Sequence, residues 1–186
     1  MQQDIERWNE RYAQGNPNPT FQPDPLLVGH RQLLSGGGRA LDVACGVGHN
    51  ALFLASLGYE VVAVDGSLRG LRYCRDVMPQ ISLSVALAVV DLDRFWPPTN
   101  YFDVVVIVRF LDRQLIPRLQ AALKRGGLVI YKTFNRNLLL ERPDFPSDYV
   151  LACGELAGLF GDFRRLATND SPALQAKESY WIGRKP

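Results

Sequence analysis

The segment from Arg39 to Asp65 constrains the fold more than any other part of the sequence. It begins with a short apolar run that ends at Val43, continues through a turn with Gly46 and Gly48, and closes on a second apolar run that ends at Asp65. Apolar runs of this length between turns are typical of buried parallel strands, and glycines let backbone approach a ligand closely. The segment predicts the first half of a nucleotide-binding βαβ unit, whose final acid accepts hydrogen bonds from a ribose diol.

Two nucleotides are compatible with this turn. The run Gly46–Ala51 satisfies the G-x-G-x-x-A pattern of dinucleotide-binding proteins, which favours NAD. Asp42 opposes that interpretation, because it lies inside a strand that we expect to be buried on both faces. A buried carboxylate is costly unless it is paired, and a ligand that carries a cation would pair it. An NAD(P)-dependent oxidoreductase is therefore the less favoured enzyme class, and the sequence offers no readable hydride-transfer group to support it.

Five segments, in order, resemble the motifs of the class I S-adenosylmethionine (SAM)-dependent methyltransferases. They are Asp42–Gly48, in which Ala44 stands where the first glycine usually is, the acid Asp65, Val89–Leu92, Phe102–Val108 and Leu123–Ile130. The resemblance implies a single-domain, Rossmann-like three-layer α/β sandwich. Its sheet would be mostly parallel and seven-stranded, with one antiparallel strand near the C-terminus and helices on both faces. It also implies SAM as cofactor and S-adenosylhomocysteine (SAH) as product.

The same resemblance assigns residues to the parts of the cofactor. Asp42 would lie near the methionyl amino group, Asp65 would bind the ribose hydroxyls, and Asp91 would lie near the adenine amino group. The full set of cofactor-binding residues that we predict is Trp8, Arg11, Asp42, Ala44, Cys45, Gly46, Gly48, Asn50, Asp65, Gly66, Ser67, Asp91, Leu92 and Val108. The glycine motif thus points to the methyl donor and leaves the acceptor open.

Three further segments resemble the tellurite-resistance and thiopurine group of small-molecule methyltransferases. They are Trp8–Tyr12, Arg109–Arg113, and Gly154–Leu156 together with Tyr149, although Cys153 stands where that group often has proline. This likeness implies a small acceptor that is anionic or soft and reacts through S, Se, Te or O.

Arg109 directly follows the apolar run Val104–Val108, so we expect it at the carboxyl end of a strand, where α/β proteins bind substrates. There it would hold an anionic acceptor by paired hydrogen bonds, or it would pair with a local acid such as Asp112. The substrate-positioning residues that we predict are Arg109, Arg113 and Tyr12, with Phe21 and the proline loop 16–25 as cover. Arg113 could alternatively be exposed at the start of a helix.

Methyl transfer from a sulfonium is an in-line displacement, in which the protein aligns nucleophile, carbon and sulfur and excludes water. Alignment alone can supply about 7–11 kcal/mol. A thiolate, or an oxyanion of selenium or tellurium, needs no dedicated base, so the lack of a readable catalytic pair is consistent with this reaction. A SAM-binding protein without catalysis is the other alternative.

Composition argues against several classes of function. A net charge of +2 gives no reason to expect nucleic acid or a membrane as partner, and no apolar run reaches the ~18 residues of a membrane span. The first residues lack the basic and apolar regions of a secretory signal. Three cysteines without paired spacing predict free thiols in a reducing cytoplasm, and no cluster of His, Cys and acids predicts a metal site. We expect a cytoplasmic monomer or homodimer that acts on a small molecule.

We predict one domain over residues 1–186, with N-terminal helices and a lid-like loop in 1–35, the cofactor-binding core in 36–134, and substrate-side and closing strands in 135–186. We expect five helices. The first is short and amphipathic, with Ile5, Trp8 and Tyr12 on one face, and the next two span Leu26–Leu34 and Asn50–Leu57, the latter closed by Gly58. The fourth is capped by Ser67 and has Leu68, Leu71, Cys74 and Met78 on one face, and the fifth lies around Gln114–Lys124. The expected strands include Leu83–Asp91, Val104–Val108, Leu128–Thr133 and two antiparallel strands between Phe163 and Lys185.

Overall fold

The computed structural model describes residues 2–14, 22–34, 36–171, 173 and 175–186. Phe21 and most of the proline loop, which we predict to be cover for the substrate, lie outside the described residues. The chain divides into two compact units, residues 1–96 and 97–186. The division into the parts 1–35, 36–134 and 135–186 stays a prediction.

The strands form one sheet. They are β1 (Arg39–Val43), β2 (Glu60–Asp65), β3 (Ala86–Val89), β4 (Phe102–Val108), β5 (Leu123–Phe134), β6 (Arg164–Thr168) and β7 (Glu178–Arg184). The sheet has seven strands in the order β3-β2-β1-β4-β5-β7-β6. β1 and β2, β2 and β3, and β4 and β5 pair in parallel, whereas β7 is antiparallel to β5 and β6. The predicted mostly parallel sheet with one antiparallel strand near the C-terminus is confirmed.

The helices follow the sequence prediction in most places. They are α1 (Gln2–Gln14), α2 (Pro25–Gly29), α3 (His49–Ser56), α4 (Leu68–Val77), α5 (Ile116–Ala122), α6 (Leu138–Glu141) and α7 (Glu155–Leu159), with 3-10 turns at Arg31–Leu33, Met78–Ile81, Leu92–Arg94 and Ser147–Tyr149. Ser67 caps α4 as predicted, because its hydroxyl oxygen accepts a hydrogen bond from the Gly70 amide at 3.2 Å. Local capping and periodicity therefore place α1, α3, α4 and α5 correctly, whereas the short helices α6 and α7 were not predicted.

Two elements are shorter than predicted, and one side chain predicted to be buried is exposed. The helix predicted over Leu26–Leu34 ends at Gly29, a residue with poor helix propensity, and continues as a 3-10 turn. The strand predicted over Leu83–Asp91 spans only Ala86–Val89, because β3 is an edge strand that has one neighbour to pair with. Leu68, predicted on the buried face of α4, is 46% exposed.

An aromatic cluster fixes the geometry of the second unit. The ring of Phe160 lies 5.6, 5.8 and 6.4 Å, between centroids, from the rings of Tyr131, Phe163 and Trp181. Large buried rings contribute much apolar area and favour such offset geometries. Tyr131 on β5 and Trp181 in the middle of β7 are paired in the sheet, so the cluster packs against the junction of these two strands.

Candidate nucleotide-binding site

The turn between β1 and α3 contains alternating residues in the left-handed backbone region. Ala44, Gly46 and Gly48 have φ angles of 54°, 56° and 80°. Glycine adopts this region freely, whereas an L residue with a Cβ is less stable there by about 1–2 kcal/mol. The turn predicted from the sequence is thus kept, and Ala44 carries strain at the position where a glycine is usual.

We expect Ala44→Gly to raise the free energy of unfolding by about 0.5–1 kcal/mol, because relief of the left-handed strain outweighs the added freedom of glycine in the unfolded chain. Chemical denaturation measures the change. Ala55→Gly, in helix α3, is the control and should lower stability by about 1 kcal/mol. A less stable Ala44→Gly variant would show that the methyl group of Ala44 contributes more by packing than it costs in strain.

Asp42 lies in β1 and is only 1% exposed. The backbone amide of Ala51, in the first turn of α3, donates a hydrogen bond to its carboxylate. Its second oxygen, Oδ2, has no hydrogen-bond partner within the described part of the chain. Burial, and after it the nearby charge of Asp65, raises the pKa of Asp42 to about 8, although the hydrogen bond from Ala51 opposes the shift. A buried acceptor in this state is suited to a cationic, hydrogen-bonding ligand group.

Asp65 ends β2 and ties two backbone segments together. Its Oδ2 accepts a hydrogen bond from the Gly46 amide at 2.8 Å, and its Oδ1 accepts one from the Ser67 amide at 2.7 Å. Burial raises its pKa despite these backbone donors. The carboxylate is therefore held rigidly between the glycine turn and the start of α4, and each oxygen retains a lone pair that can accept a further hydrogen bond.

Asp91 and Leu92 follow β3, at the same edge of the parallel strands as Asp65. Asp91 is exposed, and its Oδ1 accepts a hydrogen bond from the Asp93 amide at 3.1 Å. Leu92 is buried, at 3% exposure. An exposed acid and a buried apolar side chain thus follow β3, and their role toward an adenine ring stays a prediction.

Helix α1 packs against the glycine turn through residues on one face. A Cβ at Gly46 would lie 2.6 Å from the Tyr12 hydroxyl, and one at Gly66 would lie 2.7 Å from Ile5 Cγ1. Ser67 Oγ donates a hydrogen bond to Asn9 Oδ1 at 2.7 Å. Burial, and after it the charge of Asp65, raises the pKa of Tyr12. The predicted residue Tyr12 therefore lies beside the turn and Asp65.

Trp8 and Arg11, also predicted to bind the cofactor, lie on the more open side of α1. Trp8 stacks on Tyr12 with 5.7 Å between ring centroids and is 38% exposed. The Arg11 guanidinium carbon lies 5.0 Å from the centre of the Trp8 ring, a distance at which a cation attracts an aromatic face. Sequence reasoning missed Asn9 as a contact of the site, although it lies on the same helical face as Tyr12.

The first residues of α3 hold the last residues of the proline loop. Asn50 Oδ1 accepts a hydrogen bond from the Asp24 amide at 2.8 Å, and His49 Nδ1 accepts one from the Gln22 amide at 3.4 Å. Burial lowers the pKa of His49, which keeps this nitrogen available as an acceptor. Cys45 lies in the turn, and burial, followed by the charges of Asp42 and Asp65, raises the pKa of its thiol. Cys45 is therefore a poor nucleophile, and its contact with the cofactor stays a prediction.

In the second unit, Val108 ends β4 and Arg109 follows it with a left-handed φ of 58°. Arg109 Nε donates a hydrogen bond to Glu178 Oε1 at 2.7 Å. The suggestion that Arg109 would pair with Asp112 is wrong, because Asp112 Oδ1 instead accepts hydrogen bonds from the amides of Gln114 and Leu115 ahead of α5. No local sequence signal points to Glu178, which lies on a strand 69 positions farther along the chain.

Arg113 connects two distant parts of the second unit. Its Nε and Nη2 donate to the two carboxylate oxygens of Glu155 at 2.6 and 3.0 Å. Nη1 and Nη2 also donate to the backbone carbonyls of Asp148 and Val150 at 3.0 and 3.1 Å. Arg113 thus has a structural role at the start of α7, and its role toward a substrate stays a prediction.

The described residues contain no group of three or more His, Cys, Asp or Glu side chains that could hold a metal ion. Among the helices that the structure describes, none is long and apolar enough to cross a membrane.

Residues 40–127 match a family model described as a methyltransferase domain. The chain is 28% identical over 139 residues to the probable S-adenosyl-L-methionine-dependent methyltransferase TehB of Haemophilus influenzae, covering 72% of this chain and 48% of TehB. It is 30% identical over 155 residues to a ubiquinone biosynthesis O-methyltransferase of Alkalilimnicola ehrlichii, covering 78% of this chain and 59% of that protein. The chain thus spans about half the length of these curated relatives.

Solved structures share the fold. The crystal structure of TehB from Haemophilus influenzae matches with a TM-score of 0.75 at 20% identity, covering 91% of this chain and 64% of that chain. The magnesium protoporphyrin IX methyltransferase of Synechocystis PCC 6803, solved with bound SAH, matches with a TM-score of 0.66 at 16% identity, covering 98% of this chain and 83% of that chain. The predicted Rossmann-like α/β fold is confirmed.

Proposed function

We propose that this chain is a SAM-dependent methyltransferase of class I. The observation that carries the proposal is the buried carboxylate of Asp42, whose Oδ2 has no partner among the described residues, on the strand next to the one that ends in Asp65. SAM has an ammonium group that can donate to this oxygen, whereas NAD has none. The family match over residues 40–127 and the likeness to TehB support the same assignment, and the resemblance recognised from the sequence is confirmed.

The residues of the first unit fit SAM at each of its parts. Asp42 receives the methionyl amino group, and the backbone of the glycine turn passes close to the ligand where side chains are small. Asp65 accepts hydrogen bonds from the ribose hydroxyls, and the backbone amides that donate to it hold it in position for them. Asp91 and Leu92 take the adenine, and α1 excludes water through Tyr12 and Trp8. SAM supplies a methyl group that its sulfonium already activates.

The acceptor is a small molecule that is anionic or soft and reacts through S, Se, Te or O. The resemblance of Trp8–Tyr12 and Arg109–Arg113 to the tellurite-resistance and thiopurine group, and the basic residue Arg109 at the end of β4, support this choice. Such nucleophiles react without a general base, so the protein needs to contribute mainly alignment. Arg109, Arg113 and Tyr12 remain our candidates for positioning the acceptor. We further propose that the protein is cytoplasmic and acts as a monomer or homodimer.

Thermal unfolding with SAM, SAH and NADH tests the choice of cofactor. A ligand at 100 times its dissociation constant stabilises the fold by about 2.7 kcal/mol, which raises Tm by roughly 5–10 °C in a domain of this size. We expect this shift with SAM and SAH and none with NADH. Stabilisation by NADH alone would overturn the proposal.

A second measurement separates an enzyme from a protein that only binds SAM. SAH formation is followed with a thiophenol, selenite, tellurite and a phenol as candidate acceptors, with the protein omitted as control. We expect turnover with at least one of the soft or anionic acceptors. Binding of SAM without turnover on any of the four would favour the non-catalytic alternative.

A further inference from the structure

The carboxyl ends of β4 and β5 meet the start of β7 at a cluster of two cations and one acid. Glu178 Oε1 lies 2.7 Å from Arg109 Nε, and Glu178 Oε2 lies 2.9 Å from Lys132 Nζ. Burial pulls the pKa of Glu178 upward, but the hydrogen bonds from Arg109 and Lys132 outweigh it and lower the pKa. Glu178 is therefore charged at neutral pH and uses one oxygen for each cation.

Arg109 uses only part of its guanidinium in this cluster. Its Nε donates to Glu178, and its two terminal amino groups have no hydrogen-bond partner in the portion of the chain that the structure describes. The side chain is 59% exposed. A guanidinium that is fixed through Nε presents its Nη1 and Nη2 groups as a fork, the geometry that binds the two oxygens of a carboxylate or an oxoanion.

Folding stability does not explain why an arginine stands at this position. Its φ of 58° is in the left-handed region, which is unfavourable for any residue with a Cβ. The pair with Glu178 is mostly exposed on the arginine side, and exposed ion pairs stabilise a fold only slightly. Residues whose backbone strain is not offset by a gain in stability are found mainly at functional sites.

We propose that Glu178 is a specificity-determining residue, which holds Arg109 in place to bind a singly charged anionic group and disfavours doubly charged ones. The negative charge of Glu178 lies on the far side of the guanidinium from a bound anion and repels it. A dianion experiences twice that repulsion, so the charge of Glu178 lowers the affinity for a dianion more than it lowers the affinity for a monoanion. The identity of this anion as the methyl acceptor rests on the proposed function, whereas its binding depends only on residues of the second unit.

Glu178→Gln tests the proposal, because it removes the charge and keeps the shape of the side chain. The probes are methanesulfonate and sulfate, tetrahedral anions with one and two charges, titrated by calorimetry at pH 7.5 and constant ionic strength. We expect methanesulfonate to bind about threefold more tightly and sulfate about tenfold more tightly in the variant, as one charge acting across a short distance in water-like surroundings predicts.

Glu141→Gln is the control, because it removes one acidic charge from a more exposed ion pair with Lys177, the neighbour of Glu178 in the sequence. It should leave both affinities unchanged. Arg109→Gly removes the fork and also relieves the left-handed strain, so this variant should fold and should bind neither anion. Unchanged affinities in Glu178→Gln, or anion binding that persists in Arg109→Gly, would overturn the proposal.

The thermal shift with SAM, measured on the same variants, keeps the two proposals apart. A normal shift with SAM together with unaltered anion binding would reject the role of Glu178 and leave the methyltransferase proposal intact. The expected anion effects without any shift by SAM in the wild-type protein would support the anion site and reject the proposed function.

Discussion

SAM should bind at least tenfold more weakly to a variant with Asp65→Ala. The wild-type carboxylate would accept hydrogen bonds from the ribose hydroxyls, and each hydrogen bond to a charged group contributes about 1.5–3 kcal/mol. The substitution also releases the amides of Gly46 and Ser67, which Asp65 holds at 2.8 and 2.7 Å. Both effects weaken the site, so we expect the loss to exceed that of one hydrogen bond. Calorimetric titration with SAM and with SAH measures it.

Two further variants separate the causes of that loss. Asp65→Asn keeps the shape but has only one oxygen to accept hydrogen bonds, so it should lie between wild type and Asp65→Ala. Asp76→Ala, an exposed acid on α4 that pairs with Arg75, is the control and should not change the affinity for SAM. Wild-type affinity in Asp65→Ala would show that the ribose is not bound at the end of β2.

The affinity for SAM should depend on pH through Asp42. Its pKa of about 8 means that the carboxyl group is protonated in the ligand-free protein at pH 6. The ammonium group of the ligand requires the charged carboxylate, so we expect the dissociation constant to fall about tenfold per pH unit from pH 5 to pH 7. Near pH 8 the ligand amine begins to lose its own proton, since α-amino groups titrate at about 7.7–8.0. The affinity should therefore be greatest between about pH 7.5 and 8.

Asp42 also makes the stability of the ligand-free protein depend on pH. Its folded-state pKa, about 8, is above the ordinary value of 3.8, so the unfolded chain releases a proton that the folded chain retains between these values. Stability must then fall as pH rises through this window and level off above pH 8. Asp42→Asn cannot ionise, so it should be more stable than wild type at pH 8.5 and should bind SAM poorly at every pH.

Denaturant titrations of wild type and Asp42→Asn at pH 6 and 8.5 measure this effect. The advantage of Asp42→Asn should already be present at pH 6, which lies above the ordinary pKa of 3.8, and should grow further by pH 8.5. A SAM affinity in wild type that does not change between pH 5 and 8 would contradict the assignment of Asp42 to the amino group.

Local sequence patterns were sufficient to predict the secondary structure around the glycine turn. The apolar runs of β1 and β2, the cap at Ser67 and the acid at Asp65 all depend on residues within a few positions of each other, and the structure has them where the pattern places them. Gly29 and Leu68 show the limits of such patterns. A helix stops where propensity is low, and periodicity alone does not say how far a buried face extends.

Contacts between distant residues could not be predicted in this way. Glu178 is 69 positions from Arg109, and Glu155 is 42 positions from Arg113. The nearest acid in the sequence, Asp112, was the natural candidate for Arg109, but it satisfies the amides ahead of α5 instead. Pairing across such distances depends on the order of the strands in the sheet, which no local rule contains.

Because α1 contacts the glycine turn, the residue types allowed in the turn depend on the residues of α1. Gly70 in α4 is as tightly constrained as Gly46, because a Cβ there would lie 2.8 Å from the carbonyl oxygen of Gly46 and 3.1 Å from the ring of Tyr12. The space at these positions is shared by a neighbouring backbone and an aromatic side chain. Among homologues, positions 12, 46 and 70 should therefore covary, and a side chain at position 46 should be tolerated only where position 12 carries a smaller residue.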